Sequence, residues 1–433
     1  MKYFIAILFT QILCLSSLLA QGNPWIPKTD MPTGRMTLSS SAVEGKIYVM
    51  GGHVNGAIWG DPASPKVDKY DPATDTWDTT TADMPRGRNS FASVVVNGKI
   101  YAIGGQSSAG TTAESSFWEY DPLTDTWDTT KAQMPSPRVG LSASVVDGKI
   151  YVIGGWNFSA PKYKKAVWVY DPLTNTWDDT TSMDMPTPRA YLSTSVIDRK
   201  IYAFGGLNND ATFNGLTTLE IYDPATDTWD TTKADMPAGR VYLKSGSADS
   251  MIYIFGGSTN PNHLPASTVW EYNPAADTFK EVSPMPMGIM QAAASEIGGI
   301  IYHFGGTDTT LSTPAKVSSK VFEWNPFVAI EKGDKNLTGV FSLHQNYPNP
   351  FNPSTTIEFD LPKSSQVTLK IFNILGEGVA TLVSDRLSAG SYSYEWDASN
   401  LASGIYLYRL QAGDPSQSAG QGYFETRKMI LMR

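Results

Sequence analysis

The sequence predicts an all-β protein in which six repeated four-stranded sheets are followed by a small β-sandwich. Two features of the 433-residue chain lead to this prediction. A strand-like phrase that ends in two glycines occurs six times, at intervals of about 50 residues. This period stops before residue 330, where shorter segments of alternating polar and apolar residues follow. A period of this length indicates one supersecondary unit repeated, with each copy burying its apolar faces against its neighbours.

The glycine doublet is the fixed point of each unit. In the first unit it ends the phrase KIYVMGG, at residues 46–52. The apolar residues before it are typical of a strand buried on both faces. Glycine permits positive φ and a close backbone approach that a Cβ atom would resist, so we expect the doublets to be structural. The six doublets are Gly51 and Gly52, Gly104 and Gly105, Gly154 and Gly155, Gly205 and Gly206, Gly256 and Gly257, and Gly305 and Gly306.

The other strands of the unit follow in a fixed order. A Met-Pro-x-Gly/Pro-Arg phrase, such as MPRGR at 84–88, precedes an apolar strand, and a turn such as Asn97-Gly98 leads to the doublet strand. After a loop of variable length, Tyr-Asp-Pro-x-Thr-x-Thr-Trp places a turn between a third strand and a fourth strand centred on Trp. The tryptophans that we expect to pack between sheets are Trp77, Trp127, Trp177 and Trp229.

The doublet, the Tyr and the Trp at these offsets resemble kelch repeats across residues 23–327. The resemblance implies a six-bladed β-propeller with four antiparallel strands in each blade. The sixth unit ends after Trp324 without a Thr-x-Thr-Trp strand, whereas Trp25 stands before the first Met-Pro as Trp77 stands before the second. We therefore expect the N-terminal strand to complete the sixth blade and close the ring, with Trp25 buried against the strand that ends at Trp324.

The first 22 residues have the pattern of a secretory signal peptide, with one lysine and an apolar run that ends at Ala20. A membrane anchor is the alternative, but Thr10 and Gln11 interrupt a run that is already short for a span. Cys14, the only cysteine, lies inside this segment. The mature chain is therefore predicted to have no disulfide, no thiolate metal site and no membrane span.

The charge balance limits the class of partner. The net charge is −9, and 12% of the residues are aromatic. Nucleic-acid binding needs a basic surface, so this composition argues against nucleic acid. Sugars and proteins remain as partners.

Residues 328–336 are predicted to be a polar linker, and residues 337–433 a small immunoglobulin-like β-sandwich. The stretch YPNPFNPSTT at 347–356, the GIY at 404–406 and the terminal RKMILMR resemble the type IX secretion sorting domain. The resemblance implies export across the outer membrane of a bacterium, with the secretion machinery as partner of residues 337–433. The expected location is outside the cell or on its surface.

No catalytic constellation is predicted. Similar folds include galactose oxidase, whose copper site needs a Cys–Tyr crosslink that this mature chain cannot form, and six-bladed N-acetylneuraminate epimerases, which need a converging acid and base. His303 takes a strand position that is apolar in the other units, so we expect a packing histidine there, with a channel-lining acid or base as the alternative. No histidine pair or Asp-x-Asp-x-Asp-Gly loop occurs, so no metal or cofactor is predicted.

Five arginines recur at one position per unit. Repetition favours a structural role, and we expect each arginine to pair with a carboxylate or carbonyl of a neighbouring blade rather than with a ligand. They are Arg35, Arg88, Arg138, Arg189 and Arg240.

A ligand site is predicted where the blades differ, because specificity requires asymmetry. By analogy with kelch domains that bind peptides, two positions per blade face the ligand: the residue after the doublet and the residue two places beyond the repeated arginine. Aromatic faces beside amides suit a sugar ring. The predicted ligand-binding residues are His53, Gln106, Trp156, Asn208, Asn209, Asp210, Tyr191, Tyr242 and Gln291.

The function predicted from the sequence is that of a secreted or surface-displayed binding module for a carbohydrate or a protein. One alternative is a carbohydrate isomerase, epimerase or lyase that uses the same cavity. The other is a structural component of a surface layer, which would have no small ligand.

Overall fold

The structure is a computed structural model, and every helix or strand assigned in its described residues is a β-strand. One compact unit spans Trp25–Asn325, and the residues from Pro326 onward belong to another. The predicted signal peptide, the predicted linker and Asp210 lie outside the described residues. The described ranges are 24–54, 62–107, 112–180, 182–209, 213–248, 250–259, 264–308, 316–326, 341–374, 376–388, 390–413 and 423–432.

The first unit contains six four-stranded antiparallel sheets, which are the blades. The first blade contains β2 (Ser39–Val43), β3 (Lys46–Met50), β4 (Val67–Asp71) and β5 (Thr76–Asp78). The second contains β6 (Ala92–Val96), β7 (Lys99–Ile103), β8 (Phe117–Asp121) and β9 (Thr126–Asp128). The third contains β10 (Ser142–Val146), β11 (Lys149–Ile153), β12 (Val167–Asp171) and β13 (Thr176–Asp178).

The remaining blades repeat this order. The fourth contains β14 (Ser193–Ile197), β15 (Lys200–Phe204), β16 (Leu219–Asp223) and β17 (Thr228–Asp230). The fifth contains β18 (Lys244–Ala248), β19 (Met251–Phe255), β20 (Val269–Asn273) and β21 (Thr278–Val282). The sixth contains β22 (Ala293–Ile297), β23 (Ile300–Phe304), β24 (Val321–Trp324) and the N-terminal strand β1 (Trp25–Lys28).

The first strand of every blade contacts the first strand of the next, and β22 contacts β2, so these six strands surround a central channel and the ring is closed. The strand β1 pairs with β24 in antiparallel register, with Trp25 opposite Trp324. The two rings are 4.9 Å apart between centroids, and Trp25 is 3% exposed. The N-terminal strand therefore occupies the outer edge of the sixth blade, where the sequence analysis expected it.

Each glycine doublet lies at the boundary between two blades. Gly51 and Gly52 have φ values of +65° and +91°. A Cβ atom at Gly51 would lie 2.5 Å from the carbonyl oxygen of Arg88 in the next blade. Gly52 N–H donates to that same oxygen at 2.7 Å. The doublet therefore needs glycine both for its backbone conformation and for the close approach of the neighbouring blade.

The Thr-x-Thr-Trp turn clamps the segment that links two blades. In the first blade, Asp75 Oδ1 accepts hydrogen bonds from the Tyr70 hydroxyl and from Thr29 N–H. Trp77 Nε1 donates to the carbonyl oxygen of Thr29 at 3.0 Å. Both backbone groups of one linker residue are thus satisfied by the same turn. The second, third and fourth blades repeat this arrangement at Ala82, Ala132 and Met183.

The second unit contains two sheets that share one apolar core. The three-stranded sheet has the order β25 (Ser342–Leu343), β26 (Ser354–Leu361), β29 (Gly390–Asp397). The four-stranded sheet has the order β28 (Gly378–Leu387), β27 (Ser365–Asn373), β30 (Gly404–Gly413), β31 (Tyr423–Leu431). Alternate residues of β26 and β27 are buried, as expected when one face of each sheet is covered. This is a β-sandwich.

Candidate ligand site at the channel mouth

Six residues form a closed ring of backbone hydrogen bonds around one end of the channel. Each stands two places beyond the repeated arginine, or beyond Ile289 in the sixth blade, and its N–H donates to the carbonyl oxygen of its counterpart in the preceding blade. The six hydrogen bonds are 2.7–3.3 Å long, and the φ values lie between +50° and +61°. We call these residues the mouth ring: Thr37, Ser90, Gly140, Tyr191, Tyr242 and Gln291.

The mouth ring lines a cavity of about 50 Å³, which we call the mouth cavity. The next layer of residues in its wall is apolar and includes Leu38, Leu141 and Leu243. Lys244 adds an ammonium group to the wall. Among the described residues that line this cavity there is no Asp or Glu. The mouth cavity is therefore a small space with polar side chains, two phenol rings and one cationic side chain.

Four of the predicted site residues lie side by side at the mouth. Trp156 Nε1 donates to the Tyr191 hydroxyl at 2.6 Å. The Tyr242 hydroxyl lies beside the side chains of Tyr191 and Gln291. Gln291 Oε1 is buried and has no hydrogen-bond partner among the described residues. Burial raises the pKa of Tyr242 well above its ordinary value, and its hydroxyl stays a neutral hydrogen-bonding group.

The two tyrosines lie together on one side of the mouth. Their ring centroids are 4.4 Å apart with an interplanar angle of 49°. A Cβ atom at Gly140 would lie 2.6 Å from Cδ1 of Tyr191, so the absence of a side chain at Gly140 makes room for that ring. Thr37 and Ser90 occupy the corresponding positions in the first and second blades. The mouth is thus aromatic at the fourth and fifth blades and lined by small residues at the first three.

The residue after the doublet is not exposed, and the prediction that His53 faces a ligand directly is wrong in this respect. His53 is 2% exposed, and Gln106 and Trp156 are also buried. His53 exchanges both backbone hydrogen bonds with Met36, the residue after the repeated arginine. The short ladder extends the sheet contact beyond the doublet, so the side chain packs into the blade boundary instead of leaving it.

The loop of the fourth blade places two predicted residues on the surface. Asn208 and Asn209 are exposed, while Asp210 lies outside the described residues. Beyond that gap, Phe213 is half-buried, with its ring centroid 6.5 Å from that of Tyr242. The structure therefore brings the fourth-blade loop to the aromatic side of the mouth.

Lys244 is a residue that the sequence analysis missed. It occupies the first position of the innermost strand of its blade, where the other blades have Ser39, Ala92, Ser142, Ser193 and Ala293. Within the part of the chain that the structure describes, no hydrogen bond or ion pair to its ammonium is found. Burial lowers its pKa to about 8. A comparison of strand positions across blades, rather than of loops alone, would have identified it.

His303 lies close enough to Lys244 for the charge of the lysine to act on its imidazole. It is 2% exposed, and its Nδ1 has no hydrogen-bond partner among the described residues. Burial, together with the nearby charge of Lys244, lowers the pKa of His303 to about 3. The imidazole is therefore neutral at physiological pH, which agrees with the expected packing role.

Deeper in the channel, a larger cavity of about 340 Å³ is lined mostly by small residues of the innermost strands. Serine and threonine hydroxyls bridge neighbouring blades there, as in the pair Ser144 and Thr194 at 2.8 Å. One carboxylate, that of Glu296, is part of this wall. No group of three His, Cys, Asp or Glu side chains that could hold a metal ion occurs among the described residues.

The repeated arginines are structural, but their partners lie in their own blades. Each guanidinium donates to the carbonyl oxygen of the first glycine of its own doublet, as Arg138 does to Gly154 at 2.8 Å. Burial lowers the pKa of Arg138 to about 9. The second residue of the third strand completes each site. Arg35 and Arg189 pair there with Asp68 and Glu220, and Arg88, Arg138 and Arg240 lie over Trp118, Trp168 and Trp270.

The sixth blade replaces both members of this pair. Ile289 stands in the place of the arginine, and Phe322 stands in the place of its partner on the third strand. Both side chains are buried in one apolar cluster. The sixth blade therefore fills this site with two apolar side chains instead of a buried cation and its partner.

Taken together, the closed ring of six blades with its doublets and buried arginines defines a kelch-type β-propeller. Residues 11–155 and 129–306 match the family described as KLHDC2/KLHL20/DRC7 Kelch-repeats domain. The chain belongs to the kelch-repeat family. Residues 345–419 match a second family, the secretion system C-terminal sorting domain.

The chain is similar to several kelch proteins of other organisms. It is 30% identical over 296 residues to kelch-like protein terF of Aspergillus terreus, an alignment that covers 67% of this chain and 53% of that protein. It is 26% identical over 148 residues to beta-scruin of Limulus polyphemus, covering 33% and 16%. It is 24% identical over 330 residues to kelch-like protein 35 of Mus musculus, covering 75% and 43%. The chain thus spans about half or less of the length of these relatives.

The sorting domain implies export by a type IX secretion system, to the cell surface or into the medium. No helix long and apolar enough to span a membrane is present among the described residues. The chain is therefore a kelch protein with a C-terminal sorting domain for secretion.

Proposed function

We propose that this chain is a secreted or surface-displayed binding module, and that its channel mouth binds a carbohydrate. The observation that carries the proposal is the pair Tyr191 and Tyr242, with centroids 4.4 Å apart at the edge of the mouth cavity. Sugar rings stack their C–H groups on aromatic faces, while their hydroxyls need donors and acceptors. In this proposal residues 1–22 are a signal peptide, 23–327 the propeller, 328–336 a linker and 337–433 the domain that directs export.

The polar groups around the tyrosines support a carbohydrate over a purely apolar ligand. The hydroxyls of Thr37 and Ser90 and the amide of Gln291 are arranged around the same cavity. The exposed amides of Asn208 and Asn209 extend this polar surface along the fourth-blade loop. The Trp156 indole donates a hydrogen bond to the hydroxyl of Tyr191, and the rings of Tyr191 and Tyr242 pack on each other, so the tyrosines are held in place before the ligand arrives.

The mouth offers little support for the alternative of an epimerase or lyase. Proton transfer at a sugar carbon needs an acid and a base that converge on the substrate. The mouth cavity has no carboxylate among its described lining residues, and the pKa of His303 is too low for it to serve as an acid near neutral pH. Binding without turnover is the function that these groups favour.

The experiment is a glycan array probed with the full-length mature chain, followed by titration calorimetry on the glycans that bind. Tyr242→Ala is expected to lower the affinity at least tenfold. Tyr347→Ala, which truncates the same side chain at an 81% exposed position of the other unit, is the matched control and is expected to bind as the unaltered protein does. Binding that survives Tyr242→Ala would place the site elsewhere. Binding of peptides but no glycan would contradict the carbohydrate proposal.

A further inference from the structure

We infer that Lys244 anchors the carboxylate of an acidic sugar, which enters the mouth cavity while the sugar ring stays on the tyrosines. The inference rests on the proposed function, because it names the class of carbohydrate that the same mouth would select. It begins from the place of Lys244 in the repeat. Serines at this strand position pair with a hydroxyl of the next blade, as Ser193 does with Ser245 at 2.9 Å.

The fifth blade cannot form that pair. Across from Lys244, the sixth blade has Ala294 in the place of the hydroxyl, and Gly246 replaces the second serine of the strand. The side chain of Ile301 fills the space beside Gly246, because a Cβ atom there would lie 2.9 Å from Ile301 Cδ1. The hydroxyl bridge between blades is therefore replaced at this boundary by one long cationic side chain.

The ammonium of Lys244 has no counter-ion within the described residues. The titratable groups that share its surroundings are Tyr191 and Tyr242 in the mouth cavity and His303 on the adjoining strand. None of these carries a negative charge at neutral pH, since burial keeps Tyr242 protonated and His303 is a neutral imidazole there. Lys244 is half-buried in the channel wall, where an ammonium has less contact with water than at the surface. A paired anion stabilises such a cation, and here a ligand would supply that anion.

The small volume of the mouth cavity limits which part of the ligand can enter it. A water molecule needs roughly 10–15 Å³ of cavity volume on this measure, so about 50 Å³ suits a carboxylate and is too small for a pyranose ring. The hydroxyls of Ser90 and Tyr242 line the same space and can donate to carboxylate oxygens, whereas the Thr37 hydroxyl already donates to the carbonyl oxygen of Met36. One ammonium without an arginine fork suits a monoanion better than a phosphate.

The test compares oligogalacturonate with its methyl ester, which differ only at the carboxyl group: it is negatively charged in the acid and neutral and methylated in the ester. Affinity is measured by calorimetry on the full-length mature chain, on Lys244→Met and on Lys244→Gln. Oligogalacturonate is expected to bind the unaltered chain at least tenfold more tightly than the ester. Both variants are expected to lose this preference, because they lack the charge that distinguishes the acid from the ester. Lys149→Met removes the same charge from a half-exposed hairpin position and is expected to retain the preference.

A second measurement separates this inference from the proposed function. Acetate replaces chloride at constant ionic strength, and the melting temperature of each variant is recorded. Acetate is expected to raise the melting temperature of the unaltered chain and of Lys149→Met but not of Lys244→Met. Equal binding of acid and ester, with both lost in Tyr242→Ala, would overturn the acidic-sugar inference and leave the glycan site in place. An acetate effect without binding of either sugar, as an acidic peptide ligand would give, overturns both.

Discussion

The indole nitrogen of Trp156 donates a hydrogen bond to the hydroxyl of Tyr191 at 2.6 Å, across the boundary between the third and fourth blades. Trp156 is 7% exposed and packs with Val139 and Ala190 in a small cluster under the mouth. The two residues were predicted from the sequence to contact a ligand as equals. In the structure Trp156 is instead buried and positions Tyr191, which lines the mouth cavity.

Trp156→Phe is expected to lower the free energy of unfolding by roughly 0.5–1.5 kcal/mol, because it removes the indole donor while keeping an aromatic ring. Trp156→Ala is expected to cost about 3–5 kcal/mol, as other large-to-small core changes do. Denaturant unfolding measures both. A stability unchanged by the alanine substitution would show that the side chain is exposed in solution.

Trp25→Ala is expected to destabilise the propeller by about 3–5 kcal/mol, because its buried ring contacts Phe255, Phe322 and Trp324. Trp25→Phe, which keeps an aromatic ring in the cluster, is the matched control and is expected to cost clearly less. The measurement is the denaturant midpoint at a constant slope. Identical midpoints for the alanine variant and the unaltered chain would mean that β1 does not close the ring.

Phe279→Trp is expected to stabilise the fifth blade by roughly 0.5–1.5 kcal/mol. Phe279 packs against Tyr272 in a tilted arrangement with centroids 4.7 Å apart, close to the 4.9 Å between Trp77 and Tyr70 in the first blade. Asp277 already accepts the N–H of Ala234, so a tryptophan would add the missing donor to the carbonyl of that linker residue. The reverse change, Trp229→Phe, removes this donor from the fourth blade and should lower stability by a similar amount. Thermal unfolding of both variants measures the two effects. A lower melting temperature for Phe279→Trp would contradict the stabilising role of the indole hydrogen bond to the linker.

Lys244→Met is expected to change how stability depends on pH. The folded-state pKa of Lys244, about 8, lies below that of an unfolded lysine, about 10.4, so the charged form is penalised by folding. Below pH 8 the penalty is present in full, and between pH 8 and 10.4 the unfolded state binds more protons, so stability rises with pH. The stability advantage of Lys244→Met should therefore be largest near pH 7 and shrink by up to about 3 kcal/mol by pH 10.5.

The comparison between the two proteins isolates this lysine, since His303 is neutral throughout that range and the remaining tyrosines and lysines titrate alike in both. Urea unfolding at a series of pH values gives the curve. A difference that is constant with pH would show that the ammonium is solvated or already paired.

Deletion of residues 337–433 is expected to leave a folded propeller that is not exported beyond the periplasm. The reason is the match of residues 345–419 to the secretion sorting domain and the division of the described residues into two compact units. Immunodetection in cell fractions and medium, with a melting curve of the purified truncated chain, measures both points. Normal amounts of the truncated chain in the medium would contradict the role of the tail.

The fold was predictable because its signals are local and repeated. The doublets, the turn glycines and the tryptophans each indicate a strand end within a few residues. The family match agrees with the kelch repeats that these signals predict. The mouth ring was also predictable, since all six positions chosen from the arginine offset lie in it. The burial of His53 was not, because it follows from a backbone pairing with Met36 that no short sequence window contains.

The partners of the arginines could not be predicted from the sequence for the same reason. The carboxylate or aromatic ring that completes each site lies on the third strand, at Asp68 for Arg35 and at Trp118 for Arg88. A long loop of variable length separates the two positions in sequence. Lys244 was not predicted as a site residue, because a lysine in a strand indicates a ligand site only when the strand is known to face an enclosed channel.

The pairing of β1 with β24 has a consequence for the order in which the protein can fold. Trp25 is made before any of the other blades, whereas its partner Trp324 is made after the first five blades are complete. Contacts between such distant residues form late and slowly, because a long loop must close before they stabilise anything. Until then the last sheet has an unpaired outer edge, which is the kind of surface that recruits strands from other chains. An incomplete chain therefore cannot close its ring, and only the full array can remove its own free edge.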